Sequence, residues 1–288
     1  MKATRFLMLV VTTMALENIC LAADFPSYLP TKLSPGQISK VMELLPKDAA
    51  GEKEDIENLL KIRQKYFIDE HKTCEQAKRF EMLYSPNEYE KNIQIMFGPV
   101  QCDSEEKTKQ VSQLLGKSLG LAWADVFKNL KPIKDSAKDP VTHQPGRDRP
   151  FKMNEASIHD LEKINKISIC KNTEEEKSNA SFPSAHAAMA EEQSLLLAQV
   201  FPNQAKFFNS RAEEVARSRI ILGVHHPTDV KAGAALADEV VKELETSDKF
   251  NADLEELKKN AKGCTIQLDF EKKPVADHKL PDQFSGIK

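Results

Sequence analysis

Several absences narrow the possibilities before any motif is considered. Beyond the first 22 residues no apolar run approaches the roughly 20 residues that a membrane-spanning helix needs, which argues against stable membrane insertion. No Cys-x-x-Cys pair occurs, so neither a zinc ribbon nor a thioredoxin-like redox site is indicated. Asn-Gly hairpin signals and long strand-like alternations are missing, which disfavours an all-β fold. The formal net charge is only −3, from interspersed Lys, Arg, Asp and Glu. That pattern describes a solvated helical surface, so nucleic acid and anionic membranes are not expected partners. No internal repeat and no clear interdomain linker is visible.

What is present begins with an export signal. Lys2 and Arg5 form a positive n-region, Phe6 to Ala15 an apolar stretch, and Cys20-Leu21-Ala22 supplies small residues for cleavage after Ala22 or Ala23. These parts make residues 1–22 a secretory signal peptide and predict a periplasmic or secreted protein. Glu17-Asn18-Ile19 is a poor context for lipidation of Cys20. Losing Lys2, Arg5 and Glu17 takes the net charge to −4.

Four cysteines then remain: Cys74, Cys102, Cys170 and Cys264. An even number in an oxidising compartment predicts two disulfides, with three connectivities open. The favoured one pairs Cys74 with Cys102 and Cys170 with Cys264. The first bridge would close a local loop and the second would tie down the C-terminal tail.

The rest of the chain reads as mostly helical. Residues 24–36 hold three prolines and read as an extended arm. Helices are predicted near 36–45, 51–69, 75–82, 105–129, 155–164, 184–201, 203–222 and 228–246, the last capped by Thr228. Residues 131–150 are rich in proline and read as loop. The fold class is all-α: a signal peptide at 1–22, one helical domain at 23–249 and a peripheral tail at 250–288.

Three short segments carry the chemistry. Pro183-Ser184-Ala185-His186 stands where a polar loop ends and a helix begins. The first amides of a helix lack intrahelical acceptors and make an anion site with the helix dipole. Ser184 adds a hydroxyl, Ala185 an amide, and His186 stands beside whatever anion binds. Ser218-Arg219 is followed by His225 and Asp229. A carboxylate four residues after a histidine can take its ring N–H across one helical turn, which fixes the tautomer and frees the other nitrogen to attack. Arg219 offers a planar fork that suits a phosphoryl group. Arg149-Pro150 closes the proline-rich loop. Taken singly, each segment reads more readily as an ordinary helix start, turn or surface charge than as a site.

Taken together, in this order and spacing, they resemble the type 2 phosphatidic acid phosphatase superfamily. That group includes the bacterial class A non-specific acid phosphatases and the vanadium haloperoxidases. Its pattern is Lys-x6-Arg-Pro, then Pro-Ser-Gly-His, then Ser-Arg-x5-His-x3-Asp. The leader, the length and the Cys170-Lys-Asn-Thr-Glu run look most like the secreted class A enzymes. The resemblance implies a helical bundle of the acid phosphatase/vanadium haloperoxidase type that hydrolyses small phosphomonoesters without metal or other cofactor. His225 would attack phosphorus and Asp229 would orient its ring. Arg149, Arg219, Ser184 and the Ala185 amide would hold the oxygens, and His186 would protonate the leaving group.

Two positions depart from the pattern. Ala185 replaces glycine, which still presents its amide. Thr142 stands where the superfamily has lysine, leaving Lys138, Arg147 or Lys152 to supply a cation. The competing readings are a phosphate-binding protein without turnover, a lipid phosphate or pyrophosphate phosphatase, a haloperoxidase, and a metal site built on His186, His225, His226 and Asp229. The arm suggests assembly into a homo-oligomer.

Overall fold

The computed structural model describes residues 26–66, 74, 77, 80, 89–152 and 180–267. The expected leader at 1–22, Cys170, most of the expected helix at 75–82, the expected helix at 155–164, the side chain of Lys152 and the chain after 267 lie outside that set.

The fold is all-α, as expected. Its helices are α1 (Pro35–Met42), α2 (Ala49–Tyr66), α3 (Tyr89–Met96), α4 (Glu105–Ser136), α5 (Ala185–Val200), α6 (Ala205–Ile221), α7 (Pro227–Leu244) and α8 (Asp248–Asn260). Short 3₁₀ turns occupy Pro150–Lys152 and Pro202–Gln204, and two-residue strands β1 (Val100–Gln101) and β2 (Thr265–Ile266) form an antiparallel pair.

Helix α5 lies at the centre. It is apolar on nearly every face, with Ala185, Ala187, Ala188, Met189, Ala190, Leu196 and Leu197 all buried, as a helix surrounded by others must be. Its most extensive packing is against α6 and α7, with α4 completing the wall. The short alanine side chains let these helices approach closely. At Gly233 of α7 the approach is closer still: a Cβ there would lie 2.2 Å from the carbonyl oxygen of Ser184.

Three expectations about elements are corrected. Helix α4 does not stop at 129 but continues through Pro132. The apolar stripe explains this, because Val126, Leu130, Ile133 and Ala137 continue its spacing and are all buried. Residues 248–266 are not peripheral: Ser247 caps α8, and Phe250, Leu254 and Leu257 enter the main core. Thr228 is not the cap of α7; His226 takes that position and Pro227 follows at the first helical position, where a missing N–H costs nothing.

The disulfide pairing is also corrected. Cys102 is bonded to Cys264, not to Cys74. The reason is register: β1 and β2 pair Val100 with Ile266 and Gln101 with Thr265, so the next residues out, Cys102 and Cys264, face each other. Their Cα atoms are 4.2 Å apart, within reach of a bridge. Cys74 is disulfide-bonded as well.

The N-terminal arm is committed to its own chain. The amides of Tyr28 and Leu29 donate to the carboxylate of Asp125 at 2.8 and 3.1 Å, and the amide of Leu33 donates to Asn129 at 2.9 Å. Asp125 and Asn129 lie one turn apart on α4, and both are buried. Among the described residues, no helix is long and apolar enough to cross a membrane.

Candidate active site

The site forms where α5 begins, α6 ends and α7 begins. Helix α6 ends in a Schellman motif: the amides of Gly223 and Val224 return to the carbonyls of Ile220 and Arg219, and Gly223 has φ 72°. This turn stops the helix just after Arg219 and sends His225 back beside it, with the His225 amide 3.3 Å from the Arg219 carbonyl. Helix α7 then starts at Pro227. Its third residue, Asp229, accepts the His226 amide on Oδ2 at 2.8 Å. The same oxygen lies 3.5 Å from Nδ1 of His225. Asp229 thus faces the His225 ring at the outer limit of hydrogen-bond distance.

On the other side of that ring stands Arg149. Its Nη1 donates to the carbonyl of Val224 at 2.7 Å and lies 3.5 Å from Nε2 of His225. The carboxylate is thus at one ring nitrogen and the guanidinium at the other.

The start of α5 is tied to the same place. The amide of Ser184 donates to the carbonyl of Asp229 at 2.8 Å, and Ser184 Oγ accepts the Ala187 amide as the helix cap. Ala185 follows, then His186 in the first turn. Arg149, Ser184, Ala185, His186, Arg219, His225 and Asp229 are all buried. The structure therefore places Arg149 and Asp229 at the His225 ring and ties Ser184 and Arg219 to the same region through backbone hydrogen bonds.

Three features were not predicted. Arg147 does not face the site as a spare cation. Its Nε and Nη2 donate to Glu52 at 3.1 and 2.7 Å, Nη2 also to Asp55 at 2.8 Å, and Nη1 to Asp229 Oδ1 at 2.8 Å and to Thr228 at 2.7 Å. Glu52 and Asp55 come from α2, and nothing in the sequence separates them from ordinary helix-surface carboxylates. Burial would push the carboxyl of Asp229 up, but Arg147, His225 and His226 outweigh it and hold Asp229 ionised, far below the usual carboxylate range. Arg147 stays charged for the reciprocal reason, against its own burial.

The second feature is the turn around Thr142. Lys138 bridges to Pro145, the amide of Asp139 donates to Gln144, and the amide of Gly146 donates to Ala137. Inside it the carboxylate of Asp139 accepts from the amides of Val141, Thr142 and Asp148 and from the Thr142 hydroxyl. Thr142 is exposed on this closed turn, and Lys138 is exposed at its base.

The third is His226. Its Nε2 lies 3.1 Å from the Asp148 carbonyl and its Nδ1 3.5 Å from Glu52, so it braces the loop and does not face the ring of His225. Among the described residues no three His, Cys, Asp or Glu side chains are grouped so as to hold a metal ion.

Comparison with known proteins points the same way. Residues 139–238 match the PAP2 superfamily. A non-specific acid phosphatase of Providencia stuartii is 29% identical over 94 residues, covering 32% of this chain and 38% of that protein. A non-specific acid phosphatase of Salmonella typhi is 28% identical over 102 residues, covering 35% of this chain and 41% of that protein. The matched part thus spans about two fifths of each relative, and the family match at residues 139–238 contains all three site segments.

Proposed function

We propose that this PAP2-superfamily chain is an exported acid phosphatase of the class A type, which hydrolyses small phosphomonoesters through a phosphohistidine on His225 without a metal. The observation that carries the reading is the polarity imposed on the His225 ring, with a carboxylate at Nδ1 and a guanidinium beside Nε2. An imidazole so held keeps its proton on Nδ1 and presents the Nε2 lone pair where Arg149 can deliver a phosphoryl group.

The reaction has two displacements. Nε2 of His225 attacks phosphorus, the P–O ester bond breaks, and His186 gives its proton to the departing alkoxide. Water then attacks phosphorus, His186 takes its proton, and the P–N bond breaks to release inorganic phosphate. Arg149, Arg219, the Ser184 hydroxyl and the Ala185 amide stabilise the equatorial oxygens in both steps. Arg147 is committed to three carboxylates, so it does not replace the missing lysine. The leader and the disulfide support export.

The test is hydrolysis of p-nitrophenyl phosphate across about pH 4 to 8, with EDTA present, beside His225→Ala. The expected result is activity that survives EDTA and is abolished in the variant, with a bell-shaped pH profile. Activity lost to EDTA would overturn the metal-free mechanism. A folded chain that binds vanadate without turning over ester would be a phosphate-binding protein instead.

A further inference from the structure

We infer that Arg147 is a positioning residue, through which Glu52 and Asp55 of α2 fix the plane of the Asp229 carboxylate and hence the ring of His225. This rests on the phosphatase reading above for its consequence in catalysis, but its geometry stands independently. Neither Glu52 nor Asp55 lies within the matched residues 139–238.

The argument begins with the guanidinium. It is buried, and its three nitrogens make five contacts: two to Glu52, one to Asp55, one to Asp229 and one to Thr228. No nitrogen is left to face a substrate, so Arg147 cannot act as Arg149 does. A planar fork held at every corner has one orientation, and it hands that orientation to Oδ1 of Asp229. Oδ2 then points at His225 Nδ1 and the His226 amide. The charged or titratable groups facing Asp229 are Arg147, His225 and His226, with Glu52 and Asp55 behind Arg147.

The second element is α2 itself. Ile56, Leu59 and Ile62 pack in one cluster with Ile220, Ile221, Leu222, Val224 and Val230, the segments on either side of His225. Its apolar face thus grips the chain that carries the histidine, while its first turns grip Arg147. Thr228 adds a further tie, donating its hydroxyl to Asp55.

The energetics argue for direction over stability. A buried ion cluster gains little over apolar groups of the same volume, because desolvation offsets attraction. A cluster that contributes little net stability but controls an angle is what a positioning role requires.

The test uses the full chain and p-nitrophenyl phosphate. Glu52→Gln/Asp55→Asn/Arg147→Met removes the hub and both α2 partners together, and leaves Asp229 facing only His225 and His226. We expect its melting temperature to fall, because the buried Asp229 carboxylate loses Arg147. We expect kcat to fall about a hundredfold from a misplaced ring while KM stays unchanged, and Asp229→Asn added to the triple variant should produce no further loss. Retained kcat, a rise in KM alone, or losses that multiply independently with Asp229→Asn would each overturn the inference. If the triple variant does not fold, Arg147→Lys is read the same way, since it keeps the charge and loses the fork.

A readout independent of turnover separates this inference from the phosphatase reading. In ¹⁵N-histidine spectra, wild-type His225 should hold its proton on Nδ1, and Arg147→Lys should give a mixture of tautomers. Identical tautomers in the two proteins would overturn the positioning role, whether or not ester is hydrolysed.

Discussion

Single atoms decide how the start of α5 is placed. Gly233 lies against Ser184, and a Cβ there would stand 2.2 Å from the Ser184 carbonyl and 3.1 Å from the Ala188 amide. Both neighbours are backbone and cannot rotate away. Gly233→Ala should therefore cost about 1–3 kcal/mol, as overpacking does, and lower kcat by shifting Ser184; urea denaturation and p-nitrophenyl phosphate kinetics check both. Thr142→Ala on the exposed turn should change kcat/KM little, as p-nitrophenyl phosphate kinetics would show. The site histidines, arginines, Ser184 and Asp229 were legible in the sequence because the chemistry restricts both residue type and spacing. Glu52, Asp55 and Gly233 were not. A carboxylate in the first turns of a helix, or a glycine among alanines, acquires its role only from what the fold brings against it.

Among the elements, the disulfide holds the end of the chain to its middle. Cys102 precedes α4 and Cys264 follows α8, and the bridge continues the β1–β2 register. Cys102→Ser/Cys264→Ser should lower stability by about 2–5 kcal/mol, the usual cost of losing a native bridge. It should leave kcat near wild type, because neither strand carries a site residue; thermal melts beside steady-state rates test this. Helix positions were legible wherever an apolar stripe was bounded by caps or breakers, as with Ser184, Pro202, Gly223 and Pro227 around α5, α6 and α7. The misread elements share a cause. Pro132 was weighed as a breaker, although core contacts from Ile133 and Ala137 carry the helix through it. Likewise, the charged surface of α8 concealed the Phe250–Leu254–Leu257 stripe. Cysteine pairing needed a strand register that two-residue strands do not announce.

For the molecule as a whole, buried carboxylates set how stability responds to pH. Burial, with Asp238 and Glu213 adding like charge, pushes Glu191 up to about 7, and burial with Asp125 nearby pushes Glu192 well up. Such groups ionise in the unfolded chain near pH ~4.3 but not in the folded one. Their contribution therefore falls as pH rises from about 4 to about 7, and further for Glu192. Asp229 has the opposite sign: its stabilisation is present above about pH 4 and is lost as pH falls below that. The melting temperature should peak in mild acid, and Glu191→Gln should flatten its decline toward neutrality; calorimetry across that range would show either result.

The docked arm bears on where this protein can be cut. A recombinant version trimmed to the first helix, beginning at Ser34, would look economical, since residues 26–33 contain no helix. It would strip Asp125 of the Tyr28 and Leu29 amides and Asn129 of the Leu33 amide, exposing polar groups that α4 otherwise keeps dry. Affinity handles and fusion partners belong upstream of Pro26, and a laboratory that trims past it should expect inclusion bodies.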